Sequence, residues 1–196
     1  MTLPNITIGV DVGIHGGLAY FDTVSHELLD IKKMPLLKIE RGGKEKNFLD
    51  IDKLMFYLEI PRVHNDTAIV VLEDLHAFPG QGVVSMATLL EQKGIIRGIA
   101  KGLGYSELLI SPKTWQKHFN LIPPKDIKGK KASQTRTLRK KWLKQQSIVC
   151  AVENFPTWED KIDKSDGLSD ACLIGLWYLK TNISPQIVAR GRRKGC

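Results

Sequence analysis

Thr67-Ala68-Ile69-Val70-Val71-Leu72 is an unbroken apolar run that ends on Glu73-Asp74. A strand wetted on one side alternates apolar and polar residues, whereas a continuous run needs cover on both faces, as in the sheets of α/β proteins. The run therefore commits the chain to a central sheet with helices above and below it. It also sets a carboxylate at the end of a buried strand, where an unpaired charge is costly.

The other segments supply that architecture. Ile6 to Val12 alternates apolar residues with Thr7, Gly9 and Asp11, as a strand does. Gly16-Gly17 marks a turn, and Leu18–Phe21 and Leu28–Met34 complete an antiparallel meander. Arg41 to Lys46 (RGGKEK) reads as a polar loop, and Asp50–Ile60 as a helix ending before Pro61. After the apolar run come a loop over Leu75–Gly82, a helix over Val83–Leu103, a short strand Leu108–Ile110 and a short helix Pro112–Phe119. A basic helix over 129–148, an interruption at Pro156 and a last helix Ser165–Leu179 follow. The order is β-β-β-α-β-α-β-α-α, an α/β chain with a mixed sheet covered by helices on its faces. Gly94, Gly98 and Gly102 recur every fourth residue in the long helix, which predicts close packing of another backbone, from the sheet or a second subunit.

Charge narrows the function. Lysine and arginine number 29 against 21 acidic residues, a net charge of +8. The excess is concentrated: Lys125, Lys128, Lys130, Lys131, Arg136, Arg139, Lys140, Lys141 and Lys144 face a single acid, Asp126, between 125 and 144. Arg190, Arg192, Arg193 and Lys194 form a second cluster. One-sided runs of this kind suit a polyanionic partner, nucleic acid first among them. No run is long enough to span a membrane, no signal-peptide pattern opens the sequence, and Cys150, Cys172 and Cys196 lack metal spacing. We expect one domain over 1–182 followed by a basic tail over 183–196.

Four carboxylates carry the chemistry. Asp11 interrupts the first strand and Glu73 ends the buried one. Asp166 and Asp170, four apart at the start of the last helix, share one face. Hard cations such as Mg²⁺ take oxygen ligands of this type, and two ions about 3.5–4 Å apart can flank a phosphodiester, activating water and stabilising the departing oxygen. A capping role near a helix start is the plainer explanation for Asp166 alone. Asp11 is the hardest of the four to explain structurally.

Together these pieces resemble the RuvC-like Holliday junction resolvases of the RNase H-like superfamily, closest to the bacteriophage and plastid-type branch. The resemblance rests on Ile8-Gly9-Val10-Asp11-Val12-Gly13 with Gly16-Gly17, Val71-Leu72-Glu73, Phe78-Pro79-Gly80-Gln81-Gly82, Pro112-Lys113-Thr114-Trp115 and Asp166-Gly167-Leu168-Ser169-Asp170-Ala171. It implies an RNase H-like mixed five-stranded sheet, a meander followed by βα units, with helices on both faces. It implies a crossover junction endodeoxyribonuclease, a homodimer that resolves four-way DNA junctions by symmetric hydrolysis with Mg²⁺ or Mn²⁺, two ions per site. Asp11, Glu73, Asp166 and Asp170 would be the catalytic metal ligands. Phe78 and Gln81, with Lys117, Lys125, Lys128, Lys130, Lys131 and Arg136, would bind DNA. Phe78, or else His76, would stack near the junction centre. The expected compartment is cytoplasmic, a host cytosol in the case of a phage-encoded protein. Two other readings compete. One is a non-catalytic branched-DNA-binding protein of the same fold. The other is an actin-like or sugar-kinase-type ATP-binding fragment, suggested by Asp-x-Gly-x-x-Gly-Gly, although those enzymes need two lobes.

Overall fold

The computed structural model describes residues 3–64, 66–74 and 82–183. In chain order it contains β1 (Ile6–Asp11), β2 (Gly17–Asp22), β3 (Leu28–Lys33), β4 (Leu36–Arg41), β5 (Lys44–Leu49), α1 (Ile51–Val63), β6 (Ala68–Glu73), α2 (Val83–Gly102), β7 (Ser106–Ile110), α3 (Pro112–His118) and α4 (Ala132–Asn154). A 3₁₀ turn at Pro156–Trp158 leads to α5 (Glu159–Ile162) and α6 (Asp166–Asn182).

The expected mixed sheet is present, five strands in the order β3-β2-β1-β6-β7. The meander β1-β2-β3 is antiparallel, and β6 and β7 add in parallel to β1. The alternation of β1 and β6 sorts their side chains. Ile6, Ile8, Val10, Ala68, Val70 and Leu72 pack with Leu54 and Leu58 of α1 and Ile96 and Ala100 of α2. Ile69 and Val71 face the opposite layer, with Ala171, Cys172 and Ile174 of α6 and Trp115 of α3. The unbroken apolar run is explained: each face of β6 has its own core. Burying a side chain of this size contributes about 1.5–3 kcal/mol, so a one-residue slip of β6 would expose both cores in part.

Close approach fixes where α6 sits on this sheet. A Cβ added at Gly9 would overlap the Ala171 carbonyl and lie 2.6 Å from Gly175 N, so the helix rests directly on the β1 backbone. A Cβ at Gly167 would run into the His15 carbonyl and lie 2.6 Å from Gly16 Cα, which seats the start of α6 against the β1–β2 turn. These contacts set the positions of Asp166 and Asp170.

Several boundaries differ from the sequence expectations. Arg41 to Lys46 is not a loop. It is the centre of an antiparallel hairpin, β4 paired with β5, turning on Gly42 and Gly43 with φ of 62° and 71°. Its polar composition hid it, because the apolar alternation is limited to Leu37 and Ile39, both exposed, amid charged residues. Helix α1 continues through Pro61 to Val63. Proline leaves the Tyr57 carbonyl without its helical donor, and the buried Tyr20 hydroxyl supplies one at 3.1 Å. Helix α4 starts and ends later than the basic run suggests, at Ala132 and Asn154. No atom among the described residues lies within 4 Å of a Cβ built at Gly94, Gly98 or Gly102, so the sheet is not what this stripe packs against. No helix among the described residues is long and apolar enough to cross a membrane. Cys150 and Cys172 are free.

Candidate active site

Asp11 ends β1 and Glu73 ends the neighbouring parallel strand β6. The register pairs Val10 with Leu72, so the two carboxylates follow one step later at the same level. Adjacent strands lie about 4.8 Å apart, and both residues take the parity of the α6 face. Helix α6, seated by Gly9 and Gly167, brings Asp166 and Asp170 to that point from above. Topology thus joins four acids separated by up to 159 positions, as a residue count from Asp11 to Asp170 shows.

Burial and the neighbouring charges act on them together. Burial is the largest cause holding the Asp11 carboxyl well above its ordinary range, followed by the charges of Asp170, Glu73 and Asp166. Burial likewise pushes Asp170 up to about 7, with Glu73 and Asp166 adding to the rise. Asp11 and Asp170 keep partial exposure to a cleft, yet protein atoms enclose them closely enough for desolvation to dominate. Glu73 is buried at 8% exposure, and its carboxyl is raised by desolvation. The indole N–H of fully buried Trp115 donates to Glu73 Oε1 at 2.7 Å and opposes that rise.

Helix α4 supplies the opposing charge. Lys144 forms an ion pair with Asp166, and its field also lowers the pKa values of Asp11 and Asp170. Ser147, one turn further along α4, lies near Asp170 and offsets part of its rise, but its Oγ makes no hydrogen bond of good geometry among the described residues. Asp170 Oδ1 is also buried without one. Three of the acids, Asp11, Asp166 and Asp170, open onto a cleft of about 650 Å³ that is also lined by Lys144, Gln92, the β1–β2 turn residue His15, and Lys46 and Asn47 of β5, whereas Glu73 lies behind it and does not line it.

The donor set suits a hard divalent cation. All four groups are carboxylates, three have raised pKa values, and Asp170 carries an orphaned oxygen. As they stand, no three acidic, imidazole or thiol groups among the described residues are gathered closely enough to hold one ion together. The arrangement is a cluster of mutually repelling, largely desolvated carboxyls.

The expected DNA-binding residues are dispersed. Lys117 borders a shallow hollow with Lys113, Gln116 and Leu121. Lys125, Lys128, Lys130 and Lys131 are exposed before α4, and Arg136 is exposed on it beside Arg139 and Lys140. None of these six lines the carboxylate cleft. Phe78, Gln81 and His76 lie outside the described residues, as does the tail from 184 onward. Sequence reasoning missed Trp115, Ser147, Lys46 and Asn47 as site residues, and saw Lys144 only as a member of a basic run. For Trp115 a signal existed: a buried indole N–H needs an acceptor.

A mixed sheet with helices on both faces, acids at the ends of adjacent central strands and further acids on a covering helix defines an α/β, RNase H-like architecture. The sequence matches no family model and no curated protein. Among solved structures, the chain is similar to Thermus thermophilus RuvC in complex with a Holliday junction substrate, with a TM-score of 0.56 and 11% identity over 90% of this chain and 96% of that one. A second Thermus thermophilus RuvC structure aligns with a TM-score of 0.46 at 12% identity, covering 89% of this chain and 95% of that one. The yeast mitochondrial Holliday junction resolvase Ydc2 aligns with a TM-score of 0.40 at 13% identity, covering 97% of this chain and 86% of that one. The first of these similarities establishes that this chain has the RuvC-like fold.

Proposed function

We propose that this protein is a metal-dependent, structure-selective DNA endonuclease that resolves four-way junctions by symmetric phosphodiester hydrolysis, as a homodimer of the bacteriophage and plastid-type branch. The observation that carries the proposal is the convergence of Asp11, Glu73, Asp166 and Asp170 on one face of a RuvC-like sheet. The similarity to a RuvC bound to a Holliday junction substrate supports the choice of substrate.

In this reading Asp11, Glu73, Asp166 and Asp170 hold Mg²⁺ or Mn²⁺, two ions per site. When bound, the metal supplies an activated water and stabilises charge on the leaving oxygen. The protein's own residues prepare the site. Trp115 fixes the Glu73 carboxylate, Gly9 lets α6 approach, and Lys144 balances the acids. Exposed lysines and arginines from Lys117 to Arg136 contact phosphates outside the cleft, so binding weakens steeply as salt rises. A C2 dimer fits two cuts in a two-fold substrate.

The test is cleavage of a synthetic four-way junction and a matched linear duplex in Mg²⁺. The wild-type protein is expected to nick opposing strands of the junction symmetrically and spare the duplex. Asp11→Asn is expected to bind the junction and leave it intact. Equal cleavage by Asp11→Asn, at equal binding, would overturn the proposal.

A further inference from the structure

Most of the β4–β5 hairpin stands outside the packed interior. A lone two-stranded ribbon is at best marginally stable in water. Lys38, Ile39, Glu40, Glu45, Lys46 and Asn47 are all exposed, as is Leu37. Only its base reaches a core, through Leu49 at the end of β5, and it pairs with no strand of the main sheet. Its sequence carries Lys38, Arg41, Lys44 and Lys46 against Glu40 and Glu45.

Its position is specific. Lys46 and Asn47 line the same cleft as Asp11, Asp166 and Asp170. The cleft has two lysines in its lining, Lys46 and Lys144, and Lys144 is already paired with Asp166. Lys38 is paired with Glu45 at 2.8 Å. Lys46 has no ion-pair partner among the described residues. It is a free cation held beside an acidic floor, joined by an amide that can donate and accept. Cations and amides at the rim of such a site are the groups that bind the sugar-phosphate backbone without reading sequence.

We infer that the β4–β5 hairpin is a nucleic-acid-holding arm, with Lys46 and Asn47 gripping the phosphates of the strand that enters the carboxylate cleft. The inference rests on the nuclease reading for the identity of the strand, but it assigns a binding surface that lies outside the basic segment 117–136. The arm would hold DNA from the side opposite α4, so that the strand lies between Lys46 and Lys144. Because Lys46 is exposed and lies away from Leu49, the one hairpin residue packed on a core, altering its charge leaves folding intact.

The test is binding of a fluorescent four-way junction, a duplex and a single strand, measured by anisotropy in EDTA over a salt series. Lys46→Glu is compared with Lys101→Glu, an equal charge change at the far end of α2. Lys46→Glu is expected to weaken binding about 5–10-fold, and to make the log–log salt slope shallower by about one. Lys101→Glu is expected to change affinity less than about twofold; Lys46→Glu should keep the wild-type melting temperature, while Lys101→Glu loses a little through its contact with Glu107. Equal behaviour of the two variants overturns the arm and leaves the nuclease reading standing. Lys46-dependent binding without cleavage in Mg²⁺ or Mn²⁺ supports the arm and removes the nuclease reading. A wild-type protein that binds none of the three DNAs overturns both.

Discussion

The indole N–H of Trp115 donates to Glu73 Oε1 at 2.7 Å, linking α3 to the end of β6 inside the core. Glu73 is one of the four acids of the candidate site, and its carboxylate is held by a fully buried residue that does not line the cleft.

Trp115→Phe keeps most of the apolar volume and removes the donor. A buried carboxylate left unsatisfied costs about 1–3 kcal/mol. The expected outcome is a lower melting temperature and cleavage reduced by about tenfold or more, with junction affinity unchanged. Because the indole opposes the upward shift of Glu73, the acid limb of the pH–rate profile should move to higher pH. An unmoved profile with full activity would show that Glu73 does not depend on Trp115.

Asp170 gives a pH prediction whose sign follows from its raised pKa. Its carboxyl is pushed up to about 7 from an ordinary 3.8, burial being the largest cause. The folded protein therefore holds this proton more tightly than the unfolded chain does. The resulting stabilisation is fully present below about pH 4 and is lost as pH rises through 7. Metal-free protein should melt lower at pH 8 than at pH 5.5. Asp170→Asn should flatten that dependence and raise the melting temperature at pH 8 by about 5 °C, while abolishing cleavage. Calorimetry across pH 5–8 in EDTA checks both.

Much of this was legible from sequence. The continuous run before Glu73 required a doubly covered strand, and the alternation around Asp11 placed it opposite Ile8 and Val10. What sequence could not supply was distance in space. The register that levels Val10 with Leu72 is a pairing between segments about sixty residues apart, and Gly9 reveals its purpose only once α6 lies across it. The hairpin was illegible for another reason. Its apolar alternation is confined to Leu37 and Ile39, both exposed, and is too short to mark a strand beside the charged run that follows; only Gly42-Gly43 hinted at a turn.

Gly9→Ala and Gly98→Ala should have opposite signs. At Gly9 the added methyl meets the α6 backbone, an overpacking that costs about 1–3 kcal/mol and pushes Asp170 away from Asp11. Lower stability and lower activity are expected together. At Gly98 nothing lies within 4 Å among the described residues, so alanine should stabilise the helix by about 1 kcal/mol. Urea unfolding of both variants measures the contrast. A destabilised Gly98→Ala would mean that another backbone, such as a second subunit, occupies that stripe.

The central claim is that four dispersed carboxylates form one metal centre. Anomalous diffraction from crystals soaked in Mn²⁺ tests it most directly. The expected result is manganese density at the floor of the cleft, in contact with Asp11 and at least two of Glu73, Asp166 and Asp170, and lost in Asp11→Asn crystals. Manganese bound elsewhere, or absent from this cleft at saturating concentration, would contradict the account.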